Sequence, residues 1–424
     1  MNYNLKEILQ KGTIFFFLFF GIYILFPSEN RAWLFFPMAA MGLFNLLLYR
    51  KVKWNRLIIL NSALYIIYCL GFLFLSEDRS SAKILETSAA VIVCPLLFAI
   101  FAANQKKVFS ERVQALFFRV VIYSCVLYAI IIFAYLVYSG ILWDSKPFGF
   151  YVTQLTKNIP LIYDHPIYTS LALSIALLFS VSIASRKSGN KRIKKQMLVL
   201  MIPLVLALIF LSRRGVILAF GISMIIFLTG AFSKLKLRPY HIVLSAIGVI
   251  ALVFINPTSR DRMSEIFNFE TYVEKNETNS TNNRIQVYKC AVEQIAKRPW
   301  FGYGINDDKT ALYSCYKKSL YYLYENRFNT HNQYLSIAMK SGIIGLLIFI
   351  LFLAINLRLA IRTNDMLFLS VLILFIVIML FENILERQNG VMIFSVLINY
   401  FGFKNLLKLE RTYCDNLEME SELE

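Results

Sequence analysis

Long runs of apolar residues, separated by short polar segments, follow one another along almost the whole chain. A helix needs roughly 20 residues to cross a bilayer, and about twelve runs have that character. They are centred near residues 13–26, 32–49, 57–75, 84–103, 115–138, 166–184, 197–212, 216–232, 241–256, 335–357, 366–381 and 390–403. The first run is short unless its helix begins near Leu5. The pattern therefore predicts an all-α integral membrane protein with about twelve transmembrane helices.

Composition agrees with this prediction, and the placement of charge adds an orientation. The chain is 58% hydrophobic, above the apolar share of soluble domains, and its net charge is +18. Such a charge also suits nucleic-acid binding, but here Lys and Arg gather in alternate loops, as the positive-inside rule expects of cytoplasmic loops. These loops lie at 50–56, 106–112, 185–195, 234–238 and 358–362. We therefore predict two cytoplasmic termini and no nucleic-acid partner.

The same orientation divides the chain into four predicted parts. These are helices 1–9 in residues 1–256, a large outer loop at 257–333, helices 10–12 in 334–404, and a cytoplasmic tail at 405–424. The loop places Ile285, Tyr288 and Val292 at helical spacing, which predicts a small, mainly helical outer subdomain. It also contains Cys290 and Cys315. An oxidising compartment permits a disulfide, but the sequence leaves this pairing open.

Arg213 and Arg214 lie in a very short outer turn between two apolar runs, within "LSRRG". One interpretation is that both side chains reach the membrane interface along their apolar stems. The other is that a guanidinium near the outer leaflet binds phosphate through paired hydrogen bonds, as a lipid diphosphate would require. Arg284, within "NNR" of the large loop, offers a further cation on the same face.

His331 is one of only three histidines, and it stands just ahead of the apolar run that begins at Tyr334. A neutral imidazole can take a proton from a hydroxyl near pH 7, although a lone His near a helix start is more often a structural hydrogen-bonding residue. Its neighbour Asn332 is a candidate for orienting the imidazole or binding sugar. His165 faces the same side and either assists or only ends its loop.

Glu382 and Glu386 are carboxylates of a short outer segment at 382–389. They are candidates for orienting His331 or binding sugar hydroxyls, and an interpretation as solvated loop charges is equally open. The six cysteines are too dispersed for a zinc site. No glycine-rich nucleotide loop is recognisable either.

Four motifs follow one another in order, all predicted on or next to the outer face. They are "SRRG" at 212–215, "NNRIQVY" at 282–288, "RPWFGYGIND" at 298–307 and "THNQYLSIAMKSGIIGLLIF" at 330–349. Together they resemble the O-antigen ligase and O-antigen polymerase superfamily of bacterial envelope glycan assembly. The resemblance implies a multispanning fold related to the C-type glycosyltransferases, in the bacterial inner membrane with a periplasmic active face.

The resemblance also implies roles for individual residues. Its members take glycans linked to undecaprenyl diphosphate as donors, with no metal or other cofactor. Arg213 and Arg284 match the family's arginines and His331 its proposed catalytic histidine, while the additional Arg214 makes the first match uncertain by one position. The implied reaction is an inverting glycosyl transfer in which the arginines hold diphosphate and His331 serves the acceptor hydroxyl.

Three functions remain open at this point. As a ligase, the protein would use the sugar of lipid A–core as acceptor; as a polymerase, it would join two lipid-linked repeat units. A flippase of lipid-linked glycans belongs to a different class and predicts charges lining a cavity between helices. Apart from Glu86, Arg119 and Lys340, the candidate charges lie at the outer ends of the runs, which favours an enzyme, with the ligase slightly preferred. The sequence identifies neither the glycan nor the oligomeric state.

Overall fold

The computed structural model describes residues 3–27, 29–80, 82–139, 164–186, 190–211, 213–235, 280–319 and 321–421. Within these ranges, helices and short 3₁₀ turns are the only regular elements. The helices ahead of the large loop are α1 (Tyr3–Phe19), α2 (Ala32–Tyr49), α3 (Arg56–Phe74), α4 (Lys83–Ser88), α5 (Ala90–Asn104), α6 (Glu111–Tyr138), α7 (Pro166–Ala184), α8 (Lys191–Leu211) and α9 (Arg214–Leu235). Those that follow are α10 (Ser280–Lys297), α11 (Asp307–Ser319), α12 (Tyr321–Glu325), α13 (Gln333–Arg362), α14 (Met366–Ile378) and α15 (Gln388–Ser421). The 3₁₀ turns cover Phe20–Leu25, Lys106–Phe109 and Ile384–Glu386.

The helices confirm an all-α, multi-pass membrane protein. In the described part of the chain, 9 helical segments are long and apolar enough to cross a bilayer. Two shorter apolar helices, Arg214–Gly230 and Met366–Ile378, accompany them. Each predicted run falls on one of these segments except that at 241–256, which lies outside the described residues. The structure therefore supports the predicted spans one by one, without fixing their total at twelve.

Polar residues at the helix starts explain where several spans begin. The Asn55 side chain accepts from the Leu57 N–H at the start of α3, and Ser110 accepts from Val113 at the start of α6. Such caps satisfy backbone donors that have no partner within the helix. These two spans therefore begin where a capping residue meets the apolar run.

The bundle is packed around α15, which is largely buried along its membrane-spanning part. Tyr400 of α15 stacks on Phe17 of α1 with ring centroids 4.8 Å apart, and Phe17 stacks on Phe117 of α6 at 4.6 Å. Aromatic rings bury large apolar areas. The N-terminal and C-terminal spans thus share one core.

α15 continues as a helix to Ser421, well past the boundary at 404 that the sequence predicted. Lys408 Nζ donates to the Thr363 carbonyl oxygen at 2.8 Å, and Lys53 forms an ion pair with Glu410. The first part of the predicted tail therefore packs against the ends of neighbouring helices.

The described part of the large loop is helical, as predicted. α10, α11 and α12 enclose a small core that includes Val287, Ala291 and Tyr316. Tyr288 of the predicted apolar face packs against this core, but Val292 is 56% exposed, so the buried face of α10 only partly coincides with the face that the apolar spacing indicated. The disulfide between Cys290 and Cys315, with Cα atoms 5.8 Å apart, joins α10 to α11.

α13 is interrupted at Gly342, and the segment that connects α10 and α11 packs against this interruption. Gly342 adopts φ 65° and ψ −170° in the middle of the helix, and its neighbours lose their helical hydrogen bonds. The Tyr303 N–H donates to the Met339 carbonyl oxygen at 2.8 Å, and the Ile343 N–H donates to the Pro299 carbonyl oxygen at 2.7 Å. Backbone groups in lipid need partners of this kind. The break therefore fixes the outer subdomain to a transmembrane helix.

Candidate functional site

His331 lies in the short connection between α12 and α13, two residues before α13 begins. Its backbone has φ 43°, a left-handed conformation that is uncommon for residues other than glycine. The His331 N–H donates to Asn329 Oδ1 at 3.1 Å, and the imidazole packs edge-on to the Phe328 ring with centroids 5.8 Å apart. The local turn and the Phe328 ring therefore hold the half-buried imidazole in place.

The Glu382 carboxylate connects His331 to Arg284. His331 Nδ1 lies 3.3 Å from Glu382 Oε2, and Arg284 Nη2 donates to Glu382 Oε1 at 3.4 Å. The side chains of Arg284, His331 and Glu382 are 36%, 29% and 17% exposed. Three residues that are distant in sequence thus form one cluster that solvent reaches on one side.

The connection between α12 and α13, which carries His331, is held by the loop between α14 and α15. Thr330 Oγ1 and the Asn383 side-chain amide hydrogen-bond each other at 3.0–3.1 Å. The Gln333 N–H donates to the Met379 carbonyl oxygen at 2.8 Å, and Gln333 Oε1 accepts from the Leu385 N–H at 2.7 Å. His331 and Glu382 are therefore placed opposite each other by the residues on either side of them.

Tyr288 connects α10 by hydrogen bonding to the segment that carries His331 and to the loop between α14 and α15. Its hydroxyl lies 3.3 Å from the His331 carbonyl oxygen and 3.2 Å from the Leu380 carbonyl oxygen, and can donate to either. Burial raises the pKa of Tyr288, so the hydroxyl keeps its proton at neutral pH. Since Arg284 is one helical turn earlier on α10, Tyr288 also holds Arg284 close to the cluster.

Asn332 is occupied mainly by the helix that follows it. Asn332 Oδ1 accepts from the Tyr334 and Leu335 N–H groups, which caps α13. Asn332 Nδ2 donates to the Leu380 carbonyl oxygen at 3.3 Å. The contacts of Asn332 are therefore those of a helix cap adjoining the cluster.

Arg213 and Arg214 stand at the start of α9, half-buried. The next residue, Gly215, is so close to Phe381 that a Cβ atom added to it would lie 3.0 Å from Phe381 Cβ. Phe381 directly precedes Glu382. The two arginines therefore begin their helix beside the loop that carries Glu382.

His165 is placed at the start of α7, where its Nδ1 accepts from the Ile167 N–H at 3.4 Å. One turn further along α7, Tyr168 donates to the Asn383 carbonyl oxygen at 3.5 Å. α7 thus begins at the same end of the bundle as the cluster. His165 therefore caps α7, and its ring also packs edge-on to that of Tyr168, with centroids 6.1 Å apart.

Glu386 belongs to a second cluster, around Lys340. Lys340 Nζ lies 2.6 Å from Glu386 Oε1 and 3.4 Å from Asp308 Oδ2, and Ser336 hydrogen-bonds both Lys340 and Glu386. Burial by itself raises the pKa of a carboxyl group, but Lys340 outweighs it and lowers the pKa of Glu386 to about 2. Burial prevails at Asp308 and raises its pKa. Glu386, whose side chain is 16% exposed, is therefore an ion-pair partner of Lys340 and not a solvated loop charge.

Similarity to a known protein family covers part of the chain that forms this site. Residues 197–350 match the family model for O-antigen ligase. This match confirms the resemblance to the O-antigen ligase superfamily. A comparison with curated protein sequences finds no significant match. The match indicates a glycosyltransferase-like membrane enzyme of the ligase or polymerase type.

The segment that matches the O-antigen ligase family model includes some residues of the site but not all of them. Arg213, Arg214, Arg284 and His331 lie within residues 197–350, and Glu382 follows this segment in the chain. The loop between α14 and α15 therefore completes a cluster that the matched segment begins.

Sequence reasoning did not find several residues that support the cluster. Tyr288 was interpreted only as an apolar residue of α10, and Thr330 and Asn383 carry no recognisable signal. Lys340 was noticeable as a lysine within an apolar run, a position that is costly without a partner. Its partner Asp308 could not be identified without the fold.

Proposed function

We propose that this protein is an O-antigen ligase in the stricter sense. It transfers a glycan from undecaprenyl diphosphate to an acceptor sugar on lipid A–core, with inversion at the anomeric carbon. The reaction takes place on the periplasmic face of the bacterial inner membrane. The observation that carries this proposal is the cluster of Arg284, His331 and Glu382 at the start of a transmembrane helix, in a chain whose residues 197–350 match the family model for O-antigen ligase.

The location of the cluster suits a donor with a lipid anchor and a water-soluble glycan. Its diphosphate must remain at the outer leaflet, while the acceptor hydroxyl arrives from the aqueous side. His331 lies where the polar connection meets α13, the boundary that both substrates can reach. The disulfide between Cys290 and Cys315 supports an oxidising compartment on this side, because disulfides are rare in the cytosol.

His331 is the proposed base. Because Nδ1 lies against Glu382, Nε2 is the ring nitrogen that would take the proton of the acceptor hydroxyl. A carboxylate on Nδ1 fixes the tautomer and stabilises the imidazolium that forms. Positioned bases contribute roughly 10²–10⁴ in rate.

The arginines are proposed to hold the donor's diphosphate. Arg284 contacts Glu382, which also contacts His331. Arg213 and Arg214 lie at the start of α9, beside the loop that carries Glu382. Guanidinium groups bind phosphate oxygens in a bidentate manner, and their charge stabilises the diphosphate as it leaves. The acceptor would attack the anomeric carbon from the side opposite to the diphosphate, which inverts its configuration.

The proposal is tested by transfer in a purified system. Protein in detergent is supplied with undecaprenyl-diphosphate-linked glycan, with or without lipid A–core, and products are separated by size. Ligase activity gives glycosylated lipid A–core only when that acceptor is present. Longer lipid-linked glycan formed without lipid A–core would indicate a polymerase instead, and the absence of any product would favour a flippase.

A further inference from the structure

Glu382 binds two positively charged or protonatable side chains through different oxygens. Oε1 accepts from Arg284 Nη2 at 3.4 Å, and Oε2 lies 3.3 Å from His331 Nδ1. Arg284 is also one of the residues proposed to hold the donor's diphosphate. The same guanidinium therefore has an internal anion beside it before any donor arrives.

The contact between Arg284 and Glu382 is of a kind that exchanges easily. It is a single contact of 3.4 Å, longer than the 2.7–2.9 Å of strong charge-assisted bonds. The Arg284 side chain is 36% exposed, and ion pairs with such exposure are weak. A diphosphate offers a larger charge and bidentate geometry to the same group.

We propose that, without donor, Glu382 binds Arg284 in the place where the donor's diphosphate would bind. When the donor arrives, its diphosphate displaces Glu382 from Arg284. Arg284 then moves from carboxylate to phosphate, and Glu382 is left to orient His331 alone. This inference rests on the proposed function, and it makes Glu382 a positioning residue that couples donor binding to the base.

The exchange predicts opposite effects of one substitution on binding and on turnover. Glu382→Gln removes the competing charge, so a diphosphate should bind more tightly. The same change removes the carboxylate from His331, so kcat should fall. A carboxylate with only a structural role would weaken both binding and turnover when lost.

The test is a double-mutant cycle with undecaprenyl diphosphate, which carries no glycan and cannot react. Its Kd is measured for purified wild type, Glu382→Gln, Arg284→Gln and the double variant in detergent. Glu382→Gln should lower Kd by about two- to fivefold, the range for releasing a partly exposed ion pair. In the Arg284→Gln background, Glu382→Gln should leave Kd unchanged, because Arg284 is the group that it releases.

Glu293→Gln is the matched control, since it removes one negative charge from another ion pair of α10, that with Lys297. Its Kd should stay at the wild-type value. An equal gain in affinity in this control would attribute the effect to overall charge and overturn the inference. An unchanged or raised Kd in Glu382→Gln would overturn it as well. If Arg284→Gln alone leaves Kd unchanged, the proposed role of Arg284 in donor binding fails, and the exchange fails with it.

Discussion

Gly342 lies against Trp300 so closely that a Cβ atom on Gly342 would be 2.1 Å from the Trp300 carbonyl oxygen. Gly342 interrupts a transmembrane helix, and Trp300 belongs to the segment that connects two helices of the outer subdomain. The break therefore joins the two parts of the protein through their backbones. His331 lies just before the same transmembrane helix and Arg284 lies in the outer subdomain, so this joint connects the two parts that carry them.

Gly342→Ala should destabilise the protein strongly. Its φ of 65° with ψ −170° is essentially restricted to glycine, and the added methyl group would displace Trp300. We expect a loss of roughly 3 kcal/mol or more, measured as a lower unfolding temperature in detergent. Gly402→Ala is the control, because its Cβ would meet Asn356 Oδ1 at an ordinary 3.4 Å. Equal stability of the two variants would contradict the close contact.

Lys340→Met should destabilise the protein because it leaves the buried Asp308 and the partly buried Glu386 without their cation. Breaking a buried ion pair from one side costs about 3–5 kcal/mol, and Lys340 is 1% exposed. Thermal unfolding in detergent measures the effect. The triple variant Lys340→Met, Asp308→Asn, Glu386→Gln should recover part of the loss, since no charge is then stranded. A triple variant less stable than Lys340→Met would contradict this explanation.

The apolar runs could be predicted as helices because the bilayer demands about 20 apolar residues of every span. The side-chain partners could not be predicted in this way. His331 and Glu382 are separated by 51 positions, and their contact depends on how α13, α14 and the following loop pack. Sequence suggested Glu382 as one of several candidates for orienting His331, with nothing to distinguish it from Glu386.

The buried face of α10 shows a different reason for failure. Helical spacing grouped Tyr288 with Val292, but Val292 is exposed, while Val287, Ala291 and Tyr288 contact the core of the outer subdomain. Apolar spacing permits more than one face, and Cys290, which forms the disulfide, lies on the buried one. Tyr288 also uses its hydroxyl at the site, which spacing does not reveal.

Membrane topology can be tested with two cysteines at opposite ends of α13. Native Cys414 is exposed and follows Lys408, which hydrogen-bonds Thr363 at the end of α13. A cysteine introduced by Glu325→Cys would lie shortly before the start of α13. In intact cells, a membrane-impermeant maleimide should label Glu325→Cys, and should label Cys414 only after permeabilisation. Labelling of both before permeabilisation would overturn the orientation derived from the basic loops.

The arginines should differ from interface anchors in their response to substitution. If they hold diphosphate, Arg213→Ala or Arg284→Ala should weaken binding of undecaprenyl diphosphate by about tenfold or more, since charged hydrogen bonds contribute roughly 1.5–3 kcal/mol each. Lys should restore only part of this, because it lacks the bidentate geometry. Arg214→Ala, measured in parallel, identifies which of the adjacent pair contacts phosphate. Wild-type binding in all three alanine variants would return them to the role of interface anchors.

His165→Ala should cost less activity than His331→Ala. His165 caps the start of its own helix, and N-caps contribute about 1 kcal/mol to stability. We therefore expect a modest loss of stability, with turnover reduced less than tenfold. Equal losses in the two variants, at equal expression, would require a catalytic role for His165.

The most direct test of the central claim is the transfer rate of His331→Ala in detergent, with undecaprenyl-diphosphate-linked glycan as donor and lipid A–core as acceptor. The rate should fall at least about 100-fold below wild type, while undecaprenyl diphosphate binds with unchanged Kd because His331 acts on the acceptor. Transfer by His331→Ala at a rate close to wild type would contradict the account, and would reduce His331 to a hydrogen-bonding residue at the start of a helix.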